Sequence, residues 1–103
     1  MNAPLPHRPC LHLVVTSSTD ALGQCRAQFN AGDSVLFLDD GVMHITDDDS
    51  ADSRTVFDSA FFSAEDLAAR GLARLAAVPG IRTISDPEFD GLLARHAFCL
   101  TWK

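Results

Sequence analysis

The three cysteines, Cys10, Cys25 and Cys99, are the side chains of this sequence with the widest chemical capacity. A thiolate can act as a nucleophile or carry sulfur when a cation, a histidine or a helix amino terminus lowers its pKa. Cys25 is followed by Arg26, and His12 stands in the apolar segment before it. These neighbours permit a reactive thiolate at Cys25, although a small buried core residue would have the same surroundings.

The segment around Cys25 has the pattern of an amphipathic helix over residues 21–31. Ser18, Thr19 or Asp20 can cap its amino terminus, and Gly32 is expected to end it. Its apolar positions recur at spacings of three and four, and they are Ala21, Leu22, Cys25 and Phe29. Cys25 therefore falls in the middle of the apolar stripe, which favours a core position and leaves the reactive alternative open.

The elements that would position this helix alternate between strands and helices along the chain. Strands are predicted over residues 11–15, 34–38, 55–62, 81–84 and 97–102, and further helices over residues 41–45, from 64 onward and from 86 to about 96. The first strand is expected to be buried on both faces except at His12, and the helix from residue 64 closes at Gly71 or runs on to residue 78. This order indicates a single α/β domain, three layers deep, with a largely parallel five-stranded sheet.

An acidic turn, Asp39-Asp40-Gly41, follows the second predicted strand. Open α/β sheets usually place their sites at the carboxyl ends of the strands, so this turn is a candidate position for chemistry. Residues 47–53 form a second acidic stretch, which reads as a solvated loop because Ala51 is its only apolar residue. The aromatic residues of the later strands are either core or a patch for partner subunits, namely Phe57, Phe61, Phe62 and Trp102.

The sequence does not show the motifs of a zinc, calcium or phosphate site. Cys10 and His12, or His96 and Cys99, lack the second ligand pair that a zinc site needs. The acidic stretch does not match a calcium-binding loop, and no glycine-rich phosphate motif occurs. We therefore expect no metal site and no cofactor.

The net charge and the length of the apolar runs limit the partners and the location that we expect for this protein. The 103 residues carry eight Lys and Arg against fourteen Asp and Glu, a formal net charge of −6, which argues against direct nucleic-acid binding. No apolar run is long enough to span a membrane and no secretory signal is seen, so we expect a cytoplasmic protein with reduced thiols. Residues 1–9 read as a flexible, proline-rich tail, and residues 10–103 as the folded domain.

Several motifs together resemble the DsrH/TusB family of the DsrE-like sulfur-relay proteins. They are Leu11-His12, Gly32-Asp33-Ser34-Val35-Leu36-Phe37-Leu38, Asp40-Gly41-Val42, Glu65-Asp66-Leu67-Ala68-Ala69-Arg70-Gly71-Leu72, and the residues Asp86, Phe89, Leu92, His96 and Trp102. The resemblance covers roughly residues 11–102, and the motifs are specific as a set rather than singly.

The resemblance implies a DsrE-like fold and a role as one subunit of a sulfurtransferase complex. Its expected partners are DsrE/TusD-like and DsrF/TusC-like subunits and a DsrC/TusE-type sulfur carrier. The relayed sulfur would serve 2-thiolation of the tRNA wobble uridine or, in another branch, dissimilatory sulfur oxidation. Cys25, seven residues before Gly32, matches the position of the cysteine that DsrH-type members carry, which makes it the candidate sulfur-bearing residue. The alternative implied by the same resemblance is a non-catalytic assembly subunit.

Overall fold

The computed structural model describes residues 9–46, 59–77 and 81–103. Its strands are β1 (Cys10–Val14), β2 (Ser34–Phe37), β3 (Ala60–Ser63), β4 (Thr83–Ile84) and β5 (Phe98–Trp102). Its α-helices are α1 (Thr19–Gln28), α2 (Ala64–Ala69) and α3 (Asp86–Ala94), and its 3₁₀ helices are Asp39–Thr46 and Ala73–Ala77. Among these residues, no helix is long and apolar enough to cross a membrane.

The five strands form one parallel sheet in the order β4-β3-β2-β1-β5. Helix α1 covers one face, where Leu22 and Cys25 pack with Val14 and Val35, and α3 covers the other through Leu92. Two core clusters on opposite faces of one sheet make a three-layer α/β domain, so the fold class predicted from the sequence is confirmed.

Short-range capping starts the helices where the sequence predicts. The Ser18 hydroxyl accepts a hydrogen bond from the Ala21 amide, and Ser63 does the same for Asp66. At the start of α3, the Glu88 carboxylate accepts hydrogen bonds from the backbone amide and hydroxyl of Ser85. These two bonds form a capping box, and they hold the pKa of Glu88 below its usual range.

Helix α1 ends three residues earlier than predicted, at Gln28 instead of Ala31. The Asp33 carboxylate accepts a hydrogen bond from the Asn30 amide, and Gly32 takes a positive φ of 93° within the resulting turn. This turn directs Phe29 inward onto the His12 ring at 5.4 Å between centroids. This local turn and the packing of Phe29 on His12 together override the helical pattern of residues 29–31.

The helix from residue 64 ends at the first of its two predicted positions. Arg70 caps α2, and Gly71 has a positive φ of 70°, so the helix closes at Gly71 and a 3₁₀ helix follows it. The predicted tail up to residue 8, the acidic loop over residues 47–53 and the first part of the third predicted strand lie outside the described residues.

Gly41 marks the closest approach between the first 3₁₀ helix and the sheet. A Cβ atom at Gly41 would lie 1.8 Å from the Val14 carbonyl oxygen and 2.7 Å from its carbonyl carbon. Only glycine fits against this backbone, which explains in physical terms why Gly41 stands between Asp40 and Val42.

Candidate functional site

Cys25 is completely buried in the interface between α1 and the sheet. Its position on the apolar stripe of α1 places it in the same core cluster as Leu22, Val14 and Val35. Because the helix returns antiparallel to the strands, the second half of α1 lies toward the amino ends of β1 and β2. Cys25 thus occupies the core position that its spacing predicts.

Burial raises the pKa of the Cys25 thiol to about 12. Charge on Cys10 and Asp33 adds to this increase, whereas the positive charge of Arg26 acts in the opposite direction. The pKa of Cys10 also rises, to about 11, because of its burial and the nearby Asp33 and Cys99. In this conformation, both buried thiols are protonated at neutral pH and are weak nucleophiles.

A hydrogen-bonded cluster beside these thiols joins three elements of the fold. The His12 Nε2 atom lies 2.9 Å from Asp33 Oδ2, and the Trp102 indole N–H donates to His12 Nδ1 at 3.0 Å. Asp33 also accepts hydrogen bonds from the backbone amides of Cys10 and Asn30. Asp33 is therefore the centre of the cluster, and it ties the start of β1 to the turn after α1.

His12 is buried, with 1% of its surface exposed, and the expectation of exposure at this position is wrong. The indole N–H of Trp102 can only donate, so the Nδ1 atom of His12 accepts and the Nε2 atom carries the proton that bonds Asp33. Both ring nitrogens are satisfied inside the protein, which removes the cost of burying them.

The acidic turn after β2 is separate from Cys25. The Asp39 amide donates to Asp66 Oδ2 at 2.7 Å, and Asp40 forms an ion pair of 3.1 Å with Arg70. Both contacts fasten this turn to α2 at the carboxyl ends of the strands. A pocket at the same end has no cysteine among its lining residues, which are Leu36, Leu38, Ser63, Asp66, Ile84, Ser85, Asp86 and Phe89.

His96 and Cys99 do not form a joint site. The His96 ring bonds the Leu92 carbonyl oxygen through Nδ1 and Ser34 Oγ through Nε2, at 2.7 and 3.0 Å. Cys99 is exposed on β5. Within the described ranges, no group of three or more His, Cys, Asp and Glu side chains is arranged to hold a metal ion.

Strand β5 is the exposed edge of the sheet, although it pairs with β1 along its whole length. Phe98 is 47% exposed and Leu100 is 43% exposed, and the register places both on the same sheet face as His12. Trp102 is half-buried on this face and packs against the core cluster that contains Phe62. Phe61 lies on the opposite face, where it is partly buried. Phe57 lies outside the described residues.

Asp33 and Trp102 are the two cluster residues that the sequence pattern does not mark as interacting. Asp33 resembles an ordinary turn residue before a strand, and Trp102 is separated from His12 by 90 positions. The sequence signal for this cluster is His12 inside a predicted strand. A histidine that is buried there needs hydrogen-bond partners for both ring nitrogens.

Two comparisons with known proteins address the family to which this chain belongs. No curated protein matches the sequence. The family model described as "DsrH like protein" matches residues 16–98, which is most of the chain. This match agrees with the motifs and with the α/β fold, and it indicates a sulfur-relay subunit. The chain belongs to the DsrH-like family.

Proposed function

We propose that this chain acts as an assembly subunit of a sulfur-relay complex, with β5 as its docking strand. The proposal rests on the contrast between the completely buried Cys25 and the exposed apolar side chains of β5 at the sheet edge. A buried thiol with a pKa near 12 is a poor sulfur acceptor, whereas exposed Phe98 and Leu100 suit contact with another protein.

The edge strand offers two kinds of contact to a partner. Its outer backbone groups face away from β1 and are positioned to pair with an added strand. Its side chains Phe98 and Leu100 present apolar surface beside half-buried Trp102. Aromatic and aliphatic residues of this kind typically form the centre of an interface.

Co-purification with DsrE/TusD-like and DsrF/TusC-like subunits tests the docking proposal. We expect Leu100→Lys to lower recovery of the complex by about tenfold, because a charge would be buried in the interface. Met43→Lys is the matched control, since Met43 is 37% exposed on the first 3₁₀ helix and not on β5. Equal recovery with the two variants, or no complex with the unaltered chain, would contradict the proposal.

The proposed complex delivers persulfide sulfur to a DsrC/TusE-type carrier and thence to the tRNA wobble uridine. The acidic composition supports a role without direct tRNA contact. Deletion of the encoding gene should deplete 2-thiouridine in hydrolysed tRNA, and the unaltered gene should restore it. Normal thiouridine with impaired sulfur oxidation would instead favour the dissimilatory branch.

Cys25 as a sulfur carrier is the second candidate function. It is favoured by the family-matched spacing to Gly32 and by the proximity of Arg26, whose charge lowers the thiol pKa. For this role α1 must move, so that the Cys25 thiolate can attack the terminal sulfur of a persulfide donor. A new S–S bond then forms on Cys25, the S–S bond of the donor breaks, and the donor leaves as a thiolate.

Mass spectrometry after incubation with a cysteine desulfurase and persulfide donors tests this second candidate. A sulfur relay through Cys25 predicts one added sulfur atom on the peptide that contains it, in the assembled complex. Cys25→Ser should abolish that addition, while Cys99→Ser, at an exposed position, should leave it unchanged. Equal loading of the Cys25→Ser protein would exclude Cys25 as the carrier.

A further inference from the structure

Strand β5 presents hydrogen-bonding groups of known direction along its outer edge. The Val15 amide donates to the Trp102 carbonyl oxygen, so the peptide groups of Trp102 face β1. The N–H and C=O groups of one residue point to the same side of a strand, and this side alternates from residue to residue. Cys99 and Thr101 therefore direct their N–H and C=O groups away from β1. In the part of the chain that the structure describes, β1 is the one strand that pairs with β5.

The composition of β5 lacks the features that protect most edge strands from pairing with another chain. Lysine, proline and bulges commonly give this protection. Strand β5 has no charged residue and no proline, and its register with β1 is continuous from Phe98 to Trp102. A chain of formal net charge −6 repels its own copies in general, but this edge brings no like charges face to face. The edge therefore suits an uncharged strand, such as β5 itself.

We propose that β5 pairs antiparallel with β5 of a second copy of this chain, about a two-fold axis that passes beside Leu100. The pairing joins two five-stranded sheets into one continuous sheet. A two-fold axis makes both copies use the same patch, so the strand must be complementary to itself. The inference rests on the proposed function, because it assigns an occupant to the same docking strand.

The residue types of β5 are complementary in this register. Cys99 of one copy lies opposite Thr101 of the other, and the outward N–H and C=O groups of these two residues form the hydrogen-bonded pairs. Leu100 lies opposite its own copy, and Phe98 lies opposite Trp102. These are the non-hydrogen-bonded pairs of an antiparallel ladder, in which the side chains approach most closely. Apolar side chains therefore meet apolar side chains along the sheet face that holds the exposed Phe98 and Leu100.

Other registers of the same two strands match less well. A shift of one residue would set the outward backbone groups of one copy against the inward groups of the other. A shift of two residues in one direction would leave Phe98 with no residue opposite, because the chain ends at Lys103. A shift of two in the other direction would place Trp102 opposite His96, whose ring nitrogens are already bonded to Leu92 and Ser34.

Self-pairing and assembly with partner subunits use one edge and therefore compete. In the free chain the second copy covers Phe98 and Leu100, which are 47% and 43% exposed in a single copy. A partner subunit that docks on β5 must replace the second copy. The homodimer is thus the resting form of this subunit, and it keeps an apolar edge from unspecific pairing.

Sedimentation velocity of the whole chain under reducing conditions tests the self-pairing. We expect a monomer–dimer equilibrium with a dissociation constant of about 10 µM, as a small interface allows. Leu100→Lys should raise this constant at least about thirtyfold, because two like charges would meet at the axis. Met43→Lys adds the same charge at an exposed position outside β5 and should change it less than about twofold. A monomer up to about 500 µM, or equal effects of the two substitutions, would overturn the inference.

Disulfide trapping fixes the register without a variant that disturbs the fold. In a Cys99→Ser background, Leu100→Cys places two thiols opposite each other at about 4.5 Å between Cα atoms, which suits a disulfide. We expect a covalent dimer after mild oxidation. Thr101→Cys in the same background is the matched control, because its two copies lie diagonally, about 8 Å apart, beyond the reach of a disulfide. Equal trapping at both positions, or none at Leu100→Cys, would overturn the proposed pairing.

The same chain mixed with DsrE/TusD-like and DsrF/TusC-like subunits separates this inference from the proposed function. We expect the homodimer to disappear as the mixed complex forms, since both use β5. A chain that is monomeric alone and still joins the mixed complex would overturn self-pairing and support the proposed function. A homodimer that remains unchanged and joins no partner would support self-pairing and contradict the proposed function.

Discussion

Strands β1 and β5 lie side by side in continuous register, yet they differ sharply in burial. Four of the five residues of β1 are buried, whereas four of the five residues of β5 are exposed. The interior next to β1 holds the buried Cys25 and the hydrogen-bonded pair of His12 and Asp33. The edge at β5 holds Cys99, Phe98 and Leu100 exposed to solvent. The difference separates a region built for stability from a region available for contact.

The largest effect should come from the closest packing beside β1. Gly41→Ala would force a methyl group into the Val14 carbonyl, and we expect it to lower the free energy of unfolding by about 3 kcal/mol. Gly23→Ala is the matched control, because nothing lies within 4 Å of a Cβ atom at this exposed helical position. We expect the control to gain about 0.5–1 kcal/mol, measured by urea denaturation. Equal stability of both variants would disprove the close approach.

The hydrogen bond between Trp102 and His12 connects the two regions. Trp102→Phe keeps the aromatic ring and removes the N–H donor, which leaves the buried Nδ1 atom of His12 without its partner. We expect a loss of about 1–2 kcal/mol in the free energy of unfolding. The ¹⁵N shifts of the His12 ring should also change in Trp102→Phe. Unchanged stability and ring shifts would show that this bond does not hold His12 in solution.

The buried thiols should make stability fall at alkaline pH. An unfolded thiol loses its proton near pH 9, whereas Cys10 and Cys25 keep theirs to about pH 11 and 12 when folded. Their contribution is fully present below pH 9 and is lost as the pH rises through the folded values. From pH 8 to pH 10 we expect unfolding free energy to decrease by about 1 kcal/mol for each thiol.

Cysteine variants separate this effect from the titration of other groups. Cys25→Ala should reduce the decrease between pH 8 and pH 10 by about 1 kcal/mol, because one buried thiol is gone. Cys99→Ala should leave the decrease unchanged, since Cys99 is exposed. The same pH dependence in Cys25→Ala as in the unaltered chain would contradict the burial of Cys25.

Local features of the fold could be predicted from the sequence because their causes are local. Ser63 and the Ser85–Glu88 capping box each act within three residues, and they begin α2 and α3 as predicted. The apolar spacing around Cys25 likewise predicts its burial. The early end of α1 could not be predicted, because it depends on a turn held by the Asp33 carboxylate and on the packing of Phe29 against His12.

Long-range features of the candidate site were not available from the sequence. The bonds of His12 to Asp33 and Trp102 join positions 21 and 90 residues apart, and no sequence period links them. The exposure of β5 depends on its place at the end of the sheet, which the order of elements along the chain does not fix.

Native-state alkylation is the most direct test of the contrast between the closed interior and the open edge. The folded chain is treated with isotopically labelled iodoacetamide at pH 8, and the modification of each cysteine is followed by mass spectrometry. We expect Cys99 to be alkylated at least about a hundredfold faster than Cys25 and Cys10, whose thiols are buried and protonated. Alkylation of Cys25 in the folded chain at a rate comparable to that of Cys99 would contradict the account.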